Sequence, residues 1–289
     1  MMEMLNNIKG LKTKIKVMEI YKRYINTIKA NLLLDKNDWY FKADSSYRNI
    51  LEHVSFDQGI QFLSVIKEKY NNVFVNHKDY LIELCNLNDL YGKTFKLKFN
   101  DFAECSPTNL RYILHALLII EYMRKISLNN VNIVEIGGGY GGEALFISKL
   151  APLFNVDISS YTIIDLHEAS LLAEKYLKAH NINAKTTQLS NCVTLHENSF
   201  LISNYALSEL TLELQKEYVD QVLYPYVSHG FLTWNNRNVF AGDFYEKFVT
   251  SKSVYKTSEF PQTNLRDHSN SYVYFRPKNE KHWITGVKK

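Results

Sequence analysis

The sequence has few cysteines and no long apolar run, and each shortage removes a class of protein. Three cysteines in 289 residues, Cys85, Cys105 and Cys192, are widely scattered and odd in number. They fit neither a disulfide framework nor a metal-binding cluster, and isolated thiols of this kind suit a reducing, cytoplasmic compartment. The longest apolar stretch, Ile113 to Ile120, is far too short to span a bilayer. Lysines interrupt the first 30 residues throughout, which is not the pattern of a signal peptide. A soluble, cytoplasmic protein is expected. Charge of one sign is scarce too. The formal net charge is +4, with no Lys-rich or Arg/Gly-rich block, and this points away from a nucleic-acid partner. Neither H-x-x-H nor an acidic cluster occurs, so spacing assigns no metal ligand. What remains is ordinary globular usage, 46% hydrophobic and 22% charged, in a chain long enough for a catalytic domain with a helical annex.

Glycine is sparse as well, eleven in all, yet five of them fall between positions 137 and 142. They follow a short apolar run, Val131 to Ile136, and precede an amphipathic pattern. Strand, glycine turn and helix in that order build a site for a nucleotide-like ligand: glycines let the backbone turn and approach closely, and the helix N-terminus offers free N–H groups. Gly137, Gly139 and Gly142 satisfy the G-x-G-x-x-G spacing of dinucleotide-binding folds. Glu135, Gly137, Gly139 and Gly141 equally satisfy the acidic-x-G-x-G-x-G pattern of class I S-adenosylmethionine (SAM) methyltransferases. The carboxylate at Glu135 favours SAM, whose amino end is cationic, over a pyrophosphate, which it would repel.

Tyr161 to Asp165 reads as a second strand ending in an acid, followed by a helix from His167 to His180. An acid at that tip can accept both ribose hydroxyls of either cofactor. Its other reading is a cap for the following helix. Further strands are predicted at Ala184–Gln188, Ser199–Ser203, Gly230–Trp234, Ser253–Thr257 and Tyr272–Arg276, with a helix from Ser208 to Tyr224. Repeated strand–helix units imply a mostly parallel sheet covered on both faces. The last two strands, joined by a polar loop, imply an antiparallel pair at its end.

The N-terminal third is organised differently. Residues 1–30 carry seven Lys/Arg against two acids, with apolar residues at helical spacing, and further helical patterns occupy Phe56–Tyr70 and Lys78–Leu84. A basic amphipathic helix can lie on an anionic membrane or a partner, but here it reads as a helix docked on its own protein. Residues 1–100 are expected to form a mainly helical annex, serving as a lid or a homodimer contact, and residues 101–289 the SAM-binding Rossmann-like domain. An apolar helix from Thr108 to Ile126 leads into the first strand.

EIGGGYGG (135–142), Asp165-Leu166, LLAEKYL (171–177), SNYALSEL (203–210) and WNN (234–236) together resemble sugar O-methyltransferases, a branch of the class I SAM-dependent fold. The resemblance covers residues 105–240. It implies a cytoplasmic enzyme that moves the SAM methyl group to a sugar hydroxyl of a glycan or nucleotide sugar; some relatives also use magnesium. It implies that Glu135 and the turn Gly137, Gly138, Gly139, Tyr140 and Gly141 meet the methionine part. Asp165 takes the ribose, Leu166 lies near the adenine, and Asn204 also belongs to the cofactor site. Tyr205, Ser208 and Asn235 follow the fourth and fifth strands and face the acceptor, with Arg111 and Tyr112 from the preceding helix. A sugar hydroxyl needs a base. His268, in the loop joining the last two strands, is the first candidate, Glu209 the second, and His115 another. Two other classes stay open. One is an NAD(P)-dependent oxidoreductase, although no Tyr-x-x-x-Lys pair follows the fourth strand. The other is a catalytically idle interaction module.

Overall fold

The computed structural model describes residues 19–191, 195–235, 248–263 and 269–280. Cys192, His268 and the first 18 residues of the basic N-terminal pattern lie outside them. Seven strands make the main sheet: β1 (Val131–Ile136), β2 (Ile158–Ile164), β3 (Lys185–Thr187), β4 (Ser199–Asn204), β5 (Val227–Trp234), β6 (Lys252–Ser258) and β7 (Ser271–Pro277). Their order across the sheet is 3-2-1-4-5-7-6. β1 to β5 run parallel. β7 enters antiparallel between β5 and β6. This is the Rossmann-like, mostly parallel sheet expected from the sequence, with its terminal antiparallel pair.

The central strands read as unbroken apolar runs because both faces are covered. Every residue of β5 is buried, and in β1 only Asn132 is partly open. The helices are α1 (19–32), α2 (Phe56–Lys69), α3 (Asn71–Asn88), α4 (Pro107–Lys125), α5 (Gly142–Leu150), α6 (His167–Ala179) and α7 (Leu212–Tyr218). Helix α4 holds the molecule together. Ser106 caps it by accepting from the Thr108 amide, Pro107 opens it, and sixteen of its nineteen residues are buried. A helix apolar all round must lie between two layers. Here α2, α3 and α5 pack against α4, and its His115 and Tyr122 meet Phe231 and Phe200 of the sheet. A single apolar core therefore runs from Tyr24, Phe41 and Phe62 of the N-terminal helical region through α4 to Phe200 and Phe231 of the sheet. A second core, with Leu201, Val222 and Phe275, fills the opposite face.

One helix differs from expectation. The segment from Ser208 to Tyr224 is not continuous: a short turn at Ala206–Glu209 ends in an extended Leu210, and α7 starts afresh. Thr211 supplies the reason. Its hydroxyl accepts from the Leu214 amide, so it caps a new helix rather than continuing the old one.

Candidate active site

The parallel strands β1, β2, β4 and β5 end on the same edge of the sheet, which is where ligands of open α/β folds sit. β1 runs into the glycine turn. Gly137, Gly139 and Gly141 have φ of +78°, +58° and +90°, conformations that side-chain-bearing residues rarely adopt. Gly137 also abuts the next loop: a Cβ placed on it would come 2.1 Å from the Cβ of Ala206. Gly141 then caps α5.

Asp165, at the end of β2, reaches across to this turn. One carboxylate oxygen accepts from the Gly139 amide at 2.8 Å, the other from the Leu166 amide at 2.7 Å. The helix-cap alternative is not realised, because Leu166 is the N-cap of α6 and makes no side-chain cap bond. Burial pushes the Asp165 carboxyl up to about 6, against the two amides that pull it down. Glu135 is buried, accepts from the Tyr161 hydroxyl at 2.9 Å, and is pushed by that burial up to about 7.

A cavity of about 270 Å³ lies over these groups. Of the residues read from the sequence it is lined by Glu135, Gly137, Gly138, Gly139, Asp165, Leu166, Asn204, Tyr205, Glu209, Asn235, Arg111, Tyr112 and His115. Three others are not on its wall. Gly141 turns its back to the cavity, where a Cβ would strike Leu177. Ser208 braces the loop instead, donating to the Tyr205 carbonyl at 2.6 Å and accepting from the Asn235 amide at 3.0 Å.

Tyr140 is the third. Its ring is fully buried between Phe41 and Tyr176, with the Lys42 ammonium 4.3 Å from its centroid. Its hydroxyl donates to Glu52 at 2.8 Å, and the other Glu52 oxygen accepts from Ser106. An aromatic ring among glycines must be buried somewhere, and here it ties the turn to the N-terminal helical region. Tyr140→Phe leaves one Glu52 oxygen short of a partner in the interior. A loss of about 1–3 kcal/mol is expected in urea unfolding. An unchanged midpoint would mean that the tie is not made.

The loop after β4 is strained. Tyr205 sits at φ +67°, ψ −35°, a sparsely populated region, held there by its amide bond to the Thr233 carbonyl. The hydroxyl donates to Glu259, which is completely buried, and lies 3.1 Å from the Thr263 hydroxyl. Asn204 accepts from Thr233 at 2.8 Å. Glu209 is pushed up by burial and accepts from the Asn235 side-chain amide at 3.4 Å. His268, read from the sequence as a base, lies outside the described residues. Thr263 and Asn270, described residues on either side of it, both line the cavity.

Several lining residues escaped the sequence reading. Tyr24 comes from α1, whose apolar spacing read only as a docked helix. Glu143 sits in the first turn of α5, where an acid also has a bland role beside the helix dipole. Its burial beside His115 is visible only in three dimensions: both are almost fully enclosed, with His115 Nδ1 3.9 Å from Glu143 Oε2. Among the described residues, no three His, Cys, Asp or Glu side chains are grouped to hold a metal ion. No described helix is long and apolar enough to cross a membrane.

No protein-family profile matches the sequence, and no curated protein matches it. Solved structures do resemble the chain. An S-adenosylmethionine-dependent methyltransferase from Clostridium acetobutylicum is 13% identical, over 50% of this chain and 56% of its own, with a TM-score of 0.35. This chain thus spans little more than half the length of that protein. The plantazolicin methyltransferase BpumL, solved in complex with SAH, is 13% identical over 79% of this chain and 96% of its own, with a TM-score of 0.41.

Proposed function

We infer that this chain is a SAM-dependent methyltransferase acting on a sugar hydroxyl. The observation that carries the cofactor assignment is the charge at the glycine turn. A dinucleotide would bring its pyrophosphate there and use the turn's amides. Asp165 already occupies the Gly139 amide, and the buried carboxyls of Glu135 and Glu143 lie on the same wall. Such a wall repels a phosphate and attracts a cation. SAM supplies a methyl group activated by a sulfonium, with a second positive charge on its ammonium. The acceptor assignment rests on the sequence resemblance carried by EIGGGYGG and SNYALSEL.

In this reading the chain's residues orient and deprotonate. Gly137 to Gly139 allow close backbone approach, and Asp165 takes the ribose hydroxyls with the lone pairs it has left. Leu166, exposed at the mouth, covers the adenine. Tyr205, fixed by Glu259, and Asn235 hold the acceptor in line with the methyl group, where alignment contributes much of the rate. The acceptor oxygen gains the methyl, the sulfur keeps the electron pair of the broken C–S bond, and the hydroxyl proton passes to Glu209 or His268.

Calorimetric titration with S-adenosylhomocysteine (SAH) and with NADH tests the reading. Binding of SAH alone is expected. Binding of NADH alone would replace the reading with an oxidoreductase, and binding of neither would leave an interaction module. Transfer of labelled methyl from SAM to nucleotide sugars, rather than to peptides, tests the acceptor.

A further inference from the structure

The cavity wall carries an imidazole that neither the cofactor contacts nor the acceptor contacts above use. His53 comes from the N-terminal region, lines the cavity and is exposed. Its segment, 50–53, follows the short helix Ser45–Arg48 and precedes the Ser55 cap of α2. The Ile50 and Leu51 amides donate to the Tyr47 carbonyl, and the Glu52 amide to the Arg48 carbonyl. The side chains then divide. Glu52 is buried and accepts from Tyr140 and Ser106, whereas Ile50, Leu51 and His53 line the cavity. Leu51 lies against the glycine turn, with its tip where a Cβ on Gly139 would stand. Arg111 ties the same segment to the acceptor side: it donates to the Leu51 carbonyl at 3.1 Å, and its guanidinium lies 5.9 Å from the centre of the Tyr205 ring. Gln58, in the first turn of α2, donates to the Thr263 carbonyl at 3.5 Å. Along the chain, His53 thus follows a residue that meets the glycine turn and precedes one that meets the loop after β6. Its ring is oriented. Nδ1 lies 3.1 Å from the Ile50 carbonyl, and a carbonyl only accepts, so Nδ1 carries the hydrogen and Nε2 the lone pair. Among the described residues Nε2 has no hydrogen-bond partner.

We propose that His53 Nε2 is the base that takes the proton of the acceptor hydroxyl during methyl transfer. This rests on the methyltransferase reading above and moves its proton step from Glu209 or His268 to a residue of the N-terminal region. The acceptor oxygen bonds to the methyl carbon, the C–S bond breaks with its electron pair on sulfur, and the O–H proton moves to Nε2. The imidazolium so formed keeps its Nδ1–H on the Ile50 carbonyl, which stabilises the cation and fixes the plane of the ring. Enclosure by the cavity wall and the Arg111 charge lower the ring's pKa to about 4, against the Ile50 bond, which raises it. The imidazole is therefore neutral at pH 7, with its lone pair available. So weak a base is sufficient here, because an oxygen that gains a methyl group before losing its proton becomes a far stronger acid than imidazolium. The Arg111 charge then favours passing the proton on to solvent, which reaches the exposed ring. Glu209, by contrast, already accepts from the Asn235 side chain.

A SAM analogue with an aziridinium ring in place of the methylsulfonium tests the placement on the full chain without any acceptor. A nucleophile beside the methyl position opens the ring: its lone pair bonds to a ring carbon, and the C–N bond breaks with its pair on nitrogen. Peptide mass mapping of the wild-type protein should find the adduct on His53. An adduct on Glu209, Tyr205 or His268 instead would overturn the proposal, and so would no adduct in protein that binds SAH. This arm decides even where a variant fails to fold. His53→Gln should bind SAH as the wild type does, which shows that it is folded, and should give no His53 adduct. In labelled methyl transfer from SAM to nucleotide sugars, His53→Gln should lower kcat by roughly a hundredfold or more and leave the KM for SAM unchanged. Turnover equal to wild type would also overturn the proposal. Wild-type protein that binds no SAH would instead overturn the methyltransferase reading itself.

Discussion

Gly137→Ala should destabilise the fold by about 2–5 kcal/mol and remove measurable SAH binding. Two costs add. Gly137 sits at φ +78°, and an L side chain there costs about 1–2 kcal/mol. The new methyl would also lie 2.1 Å from the Ala206 Cβ, which is fixed to backbone and has no rotamer by which to move away. Overpacking of this kind costs about 1–3 kcal/mol. Relief can come only by separating the glycine turn from the loop after β4, and both line the cavity proposed to take the cofactor. Gly139→Ala makes the comparison. Its Cβ would meet only the tip of Leu51, a flexible side chain, so the backbone cost remains and most of the packing cost does not. The double variant Gly137→Ala/Ala206→Gly should recover the packing share, about 1–3 kcal/mol, and leave the backbone share. Urea unfolding of the four proteins reads both. Gly137→Ala within about 0.5 kcal/mol of wild type would show that the two loops are not in contact.

Local chemistry explains why this turn could be read in advance while much of the surrounding site could not. β1, β2, β4 and β5 announce themselves as apolar runs, and a glycine cluster between a strand and a helix has few other uses. Asp165 and Glu209 follow from strand tips by position alone. The contacts that fix the site are of another kind. Tyr205 meets Glu259 across 54 residues, Tyr140 meets Glu52 across 88, and Arg111 reaches Leu51 across 60. No periodicity encodes such pairings, because they depend on how the N-terminal region and the segment after β6 meet the strand ends. Tyr140 shows the cost: within the motif it read as a cofactor contact, and only the aromatic pocket of Phe41 and Tyr176 reveals it as an anchor. The break at Leu210 was legible, since Thr211 is a good N-cap, but the apolar spacing on either side masked it.

Affinity for SAM should rise with pH, by about tenfold to a hundredfold between pH 5.5 and 7.5. The carboxyls of the site hold protons that a cationic ligand must displace. Asp165 and Glu135 ionise near 6 and 7, above the values near 4 that such groups have in an unfolded chain. Between about pH 4 and 7 the folded apo protein therefore binds more protons than the unfolded chain. Its stability falls as pH rises through that window, by up to about 1.4 kcal/mol per unit for each group. A bound ammonium and sulfonium favour the ionised carboxylates, and ribose hydroxyls need Asp165 as an acceptor. Below its apo pKa each group then adds up to about one decade of affinity per pH unit. Glu143 is also raised, by burial and the neighbouring Glu135, and adds to the rise, whereas Arg111 keeps its charge throughout. Apo stability and SAM affinity should thus move in opposite directions with pH, which separates a site effect from general acid damage to the fold. Calorimetry in two buffers of different ionisation enthalpy should show net proton release on binding at pH 6.5. Asp165→Asn should flatten the lower part of the profile. A flat profile in the wild-type protein, with no proton released, would mean that these carboxyls do not meet the ligand.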